Sequence, residues 1–178
     1  MRTRVFVPLL MALAVPLGAM AAAPVAAQTG IALLTDVQAQ NMGDFDRVTF
    51  TFEGGTPTIL KADYFDGPAA LSPSGLLVSP PVAGPPRLQI TMGGASGTDL
   101  TVNPPHDTYT GPTRFSPNLS KVVELVEVED FEATLSWVIG LRGREVVVTV
   151  QVLNGPTRVV VDIPHDDTIV TVAPSFTG

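Results

Sequence analysis

From Gln28 onward the chain repeatedly alternates apolar and polar residues with a period of two, as in Val48-Thr49-Phe50-Thr51-Phe52 and Leu88-Gln89-Ile90-Thr91-Met92. Successive side chains of a strand point to opposite faces, so this period predicts half-buried strands and argues against helices. The alternation returns in Phe131-Glu132-Ala133-Thr134-Leu135-Ser136-Trp137 and runs on to Gly140. Residues 145–153 and 157–163 are rich in valine, and Asn154-Gly155-Pro156 between them is a turn signal. Segments 31–39, 58–64 and 121–129 bring the expected count to about eight strands, with no amphipathic helix. The expected fold is all-β, a two-sheet β-sandwich. The chain has sixteen glycines and seventeen prolines, and those beyond residue 27 punctuate the pattern. They crowd into residues 66–87 and 93–117, which read as long loops because proline cannot donate to a strand ladder.

The first 27 residues follow a different rule. Arg2 and Arg4 precede an apolar run from Val5 to Ala23, and small residues lead up to Ala27-Gln28. A basic start, an apolar centre and small residues before a cut are the marks of a secretory signal peptide. Pro16 and Gly18 interrupt the run and argue against a permanent anchor. The expected organisation is therefore a signal peptide over 1–27 and one domain over 28–178, exported and with no stable membrane span after cleavage. The mean hydropathy of +0.32 owes much to the leader. The formal charge of −7 becomes more negative without it, because Arg2 and Arg4 leave and no acidic residue goes with them. Such a balance is wrong for binding nucleic acid, which needs clustered Lys and Arg. The absence of cysteine excludes disulfides, thiolate chemistry and a lipid anchor on a cysteine.

Few residues suggest chemistry. His106 and His165 each precede aspartate, and a small secreted hydrolase using either of them is the enzymatic alternative. No HxH or HExxH spacing supports a metal site, and neighbouring His and Asp on a strand face opposite ways. Ser136 lacks a nucleophile-elbow context, and Asp44, Asp46, Asp166 and Asp167 lack a calcium-loop pattern. The acidic run Glu124, Glu127, Glu129, Asp130 and Glu132 reads as a solvated strand face and turn. Trp137 shares its face with Leu135 and Ile139 and belongs to the core, whereas Tyr64 and Tyr109 are candidate exposed platforms for stacking on sugar rings, with packing at the edge of the core the commoner outcome for such tyrosines. No metal, cofactor or catalytic residue is expected.

Several motifs together resemble a known family. They are Asp44-Phe45-Asp46-Arg47-Val48-Thr49-Phe50, Tyr64-Phe65-Asp66-Gly67-Pro68, His106-Asp107-Thr108-Tyr109-Thr110-Gly111-Pro112, and the stretch from Asp130 through Trp137 to Leu141. Arg158-Val159-Val160-Val161-Asp162-Ile163, up to His165, closes the series. In this order they resemble the AMIN-like domain of exported actinobacterial proteins, and the last resembles the arginine-bearing strand of AMIN domains. The resemblance implies a two-sheet sandwich and a non-catalytic module that binds peptidoglycan or envelope partners. It implies ligand-facing roles for Arg158 and Arg47, although either arginine could instead bridge a nearby carboxylate such as Asp46 or Asp162. The expected partner is cell-wall glycan or an envelope protein, with Arg47, Arg158, Tyr64 and Tyr109 as the candidate binding residues. No amidase or secretin segment accompanies the motifs, so no targeting in cis is expected.

Overall fold

The computed structural model describes residues 30–165. The expected signal peptide, together with Asp166 and Asp167, lies outside the described residues.

Eight long strands match the eight expected from the alternation. They are β1 (Ala32–Asn41), β2 (Phe45–Gly54), β3 (Thr58–Phe65), β4 (Arg87–Gly93), β9 (Val122–Phe131), β10 (Thr134–Leu141), β11 (Thr149–Leu153) and β12 (Thr157–Pro164). Four two-residue strands lie between β4 and β9: β5 (Ala95–Ser96), β6 (Thr98–Asp99), β7 (His106–Asp107) and β8 (Arg114–Phe115). The first sheet has the order β11-β12-β2-β1-β5 and the second β3-β4-β10-β9-β8, while β6 and β7 form a small separate pair. This is the expected all-β sandwich. The expected strand over 145–153 is shorter than predicted, because the chain uses its first residues to cross from β10 in one sheet to β11 in the other.

The period of two explains the core. Along β2, Val48, Phe50 and Phe52 are buried between the sheets while Arg47, Thr49 and Thr51 face outward. Leu88, Ile90 and Met92 of β4 meet them from the second sheet. Trp137 is fully buried and packs against Phe50, Tyr109 and Phe115, with ring centroids 5.8, 5.9 and 6.5 Å away. Removing such a side chain costs about 3–5 kcal/mol.

β10 departs from the alternation, since nearly all its residues are buried on both faces. The cause is the 66–87 segment, which lies across the outside of the second sheet. Ala69, Val78 and Val82 form a second apolar cluster there with Val126, Val128 and Val138. Gly140 makes the close approach possible: a Cβ at that position would stand 1.8 Å from the Ala83 carbonyl oxygen. The segment read as a long loop is a fitted cover.

Polar ties hold the cover down. The Ser72 amide donates to the Val128 carbonyl, and the Leu141 amide donates to that of Gly84. Glu124 accepts a hydrogen bond from the Ala83 amide and is clamped by Arg114 through Nε at 2.8 Å and Nη2 at 3.0 Å. The same guanidinium donates to the carbonyls of Pro80 and Pro81. The acidic run is therefore not a solvated face. Glu124 is buried, and Glu129 accepts from the hydroxyls of Ser72 and Ser136.

Candidate functional site

The outward residues of the first sheet build a broad polar face. Strand register sets Gln40, Arg47, Asp162 and Thr149 side by side across β1, β2, β12 and β11. The next row is Gln38, Thr49, Val160 and Gln151, and the third is Asp36, Thr51, Arg158 and Leu153. Amides and hydroxyls dominate, with the buried Val160 near the centre and Leu153 on the edge strand as the apolar exceptions. Neither of the two apolar clusters formed by the described residues lies on this side. Gln40 donates to Gln38, and Gln38 to Asp36, so a chain of amide contacts runs along β1. A bulge between Leu34 and Asp36 frees the Thr35 hydroxyl to donate to the Thr51 carbonyl.

Both candidate arginines stand on this face, in different states. Arg47 forms a two-pronged pair with Asp162, Nε to Oδ1 at 2.7 Å and Nη2 to Oδ2 at 2.8 Å. Its guanidinium also lies 5.3 Å from the centre of the Phe45 ring. Hydrogen bonding to Asp162 raises the Arg47 pKa and keeps the group charged. The bridging carboxylate is thus the cross-strand Asp162 rather than the adjacent Asp46. Arg158 donates from Nε to the Pro156 carbonyl at 3.3 Å, and among the described residues no carboxylate pairs with it. The acidic residue in its row is Asp36, two strands away on β1.

The two tyrosines stand elsewhere. Tyr64 is half-buried on β3, an edge strand of the second sheet. Its hydroxyl donates to the Val146 carbonyl at 3.1 Å and faces the Val146 amide at 3.3 Å, which braces the crossing between sheets. Burial raises its pKa. Tyr109 is buried in the core, edge-on to Trp137, and donates to the Pro112 carbonyl at 2.9 Å. Burial, then the charges of Glu127 and Asp36, push its pKa up to about 12. Tyr109 is therefore a core residue and not an exposed stacking platform. It comes from a Gly/Pro-rich stretch with no period, so its residue type, and not its spacing, is what favoured a place at the core.

The histidines do not come together. His106 is exposed on β7, which pairs through β6 with the region next to the start of β1. His165 follows β12 at the other end of β1, and its Nε2 lies 2.7 Å from Oδ1 of the fully buried Asp46. Asp46 Oδ2 also accepts the amides of Lys121 and Val122, at 2.6 and 2.9 Å. Such a network satisfies the buried carboxylate and ties β2, β9 and β12 together. Sequence reasoning missed this anchor, yet extending the alternation back from Val48 by two residues puts Asp46 on the core side. Ser136 donates to Glu129 at 2.8 Å and faces the Thr91 hydroxyl at 3.0 Å, with no histidine among its partners.

One carboxylate turns inward with no hydrogen-bond partner among the described residues. Glu127, with Asp107, Tyr109 and Asp130, lines a cavity of about 210 Å³. Burial, then the charge of Asp130, push its pKa up to about 7. Among the described residues no group of three or more His, Asp or Glu side chains is placed to hold a metal ion.

No curated protein and no solved structure matches the chain. The family model for the AMIN-like domain does, over residues 32–165, from the first residue of β1 to the histidine that closes on Asp46. With that match covering most of its length, the chain belongs to the AMIN-like domain family.

Proposed function

We propose that this protein is a non-catalytic, exported binding module of the cell envelope, and that the outer face of the first sheet contacts peptidoglycan. The observation that carries this reading is the contrast in cover: the 66–87 segment seals the outside of the second sheet, while on the first Arg158 stands beside two rows rich in amides and hydroxyls. Glycan hydroxyls and peptide amides are matched by side chains that both donate and accept hydrogen bonds, as Gln and Thr do. A guanidinium adds a strong, planar contact for a stem-peptide carboxylate. Arg158 is suited to that task because, among the described residues, its guanidinium is engaged through Nε alone. Arg47 is instead a positioning residue whose pair with Asp162 braces β2 against β12. Membership in the AMIN-like family supports the envelope setting.

Co-sedimentation with purified peptidoglycan tests the reading. The wild type should pellet, and Arg158→Ala should lower the affinity about tenfold, the loss expected for one charge-assisted contact. Arg47→Ala should weaken binding less and lower stability as well. If the wild type stays in the supernatant, the glycan reading is wrong and an envelope protein becomes the partner to seek.

A further inference from the structure

At the end of the sandwich away from His165, two depressions of about 340 and 170 Å³ share Ile31, Thr98 and Leu100 and form one groove. Its apolar wall is made by Ile31, Leu100 and Phe131, which are 39%, 69% and 45% exposed. These residues precede β1, follow β6 and end β9, so three distant segments converge to build one exposed apolar patch. Isolated surface hydrophobes are ordinary, but a contiguous patch with a polar rim marks an interaction surface.

Two further observations concern the same groove. Its wall includes the β9–β10 turn, where Glu132 and Ala133 both adopt left-handed backbone, with φ of 49° and 57°. Turns with both central residues left-handed ordinarily use Asn-Gly, so this one retains strain, and retained strain clusters at functional sites. The rim is acidic. Asp99, Asp130 and Glu132 line it, and among the described residues no lysine or arginine does. Hydrogen bonds from Thr101 hold the Asp99 carboxyl below its ordinary pKa, so its charge persists.

We propose that this groove docks a segment of a protein partner presenting an aliphatic or aromatic side chain flanked by lysine or arginine. The shallow apolar floor takes one or two side chains of a larger partner, and the acidic rim selects positive charge beside them. The same rim repels anionic polymers. This site is separate from the polar face of the first sheet, and the proposal does not rest on the glycan reading.

Fluorescence anisotropy with two labelled peptides tests it, one of sequence Lys-Leu-Lys-Phe-Lys-Leu and one with every lysine replaced by glutamate. The full-length protein should bind the basic peptide with Kd below ~1 mM and leave the acidic peptide unbound. Leu100→Ser and Phe131→Ser, both at exposed positions, should each weaken binding at least about fivefold, and so should Glu132→Lys. Arg158→Ala should leave this binding unchanged while it impairs sedimentation with peptidoglycan. The proposal is overturned if the basic peptide does not bind, if both peptides bind equally, or if the two serine variants bind it as well as the wild type does.

Discussion

On the outside of the second sheet, Val126, Val128 and Val138 lie beneath residues 66–87; on the outside of the first, Gln38, Gln40, Thr149 and Gln151 remain exposed. Both faces arise from the same alternation, and they differ in what the outward positions hold. Apolar residues and Gly140 on the second sheet need a cover and leave room for one. Hydroxyls and amides on the first sheet are content in water. The cover needs more than apolar contact, because its proline-rich backbone carries carbonyls that must be satisfied. Arg114 and Glu124 do this as a pair, the guanidinium taking two carbonyls and the carboxylate one amide. We propose that the bare polar face, and not the sealed one, is the side that meets peptidoglycan.

The comparison can be broken most forcefully at Gly140. Gly140→Ala should destabilise the protein by about 3 kcal/mol in chemical denaturation, because the added methyl strikes the Ala83 backbone. Thr49→Ala, at the centre of the bare face, should cost under about 1 kcal/mol. Equal effects would mean that the 66–87 segment does not bear on the second sheet.

A second experiment separates the two sides of β9. Glu124 is turned to the cover and paired, while Glu127 is turned inward, unpaired, with its pKa raised to about 7. A carboxyl raised in the folded state contributes stability below its unfolded pKa, and that contribution is lost as pH rises through the folded value. Stability should therefore fall between about pH 4.5 and 7, by about 1–2 kcal/mol after allowing for the solvent that reaches the cavity. Glu127→Gln should flatten that slope, which urea titrations across the range would read.

The smallest expected effect lies on the bare face. A double-mutant cycle on Arg47→Ala and Asp162→Ala should give a coupling of about 0.5–1 kcal/mol, because the pair is two-pronged but partly wet. A coupling near zero would remove Arg47 from its positioning role.

Much of this fold was legible before any coordinates. The eight long strands, the turn at Asn154-Gly155-Pro156 and the burial of Trp137 all follow from alternation and punctuation. What escaped is non-local. Ala69, Val78 and Val82 are spaced irregularly among prolines, so nothing in their order shows that they seal a sheet. The partner of Arg47 depends on the register of β12 against β2, which periodicity does not set. Tyr109 enters the core from a stretch whose glycines and prolines suggested only loop. Of the four candidate binding residues, Arg47 and Arg158 stand on the outer face of the first sheet, as alternation along β2 and β12 places them, while the hydroxyls of Tyr64 and Tyr109 bond to distant or loop backbone that periodicity does not locate.

The central claim is that the bare face of the first sheet meets the ligand. Amide chemical-shift mapping of the ¹⁵N-labelled protein, titrated with a soluble muropeptide, tests it most directly. The account predicts shifts concentrated at Gln38, Thr49, Gln151 and Arg158, with residues 66–87 unmoved. Perturbations gathered on the 66–87 cover, with the face of β1, β2, β11 and β12 silent, would contradict it.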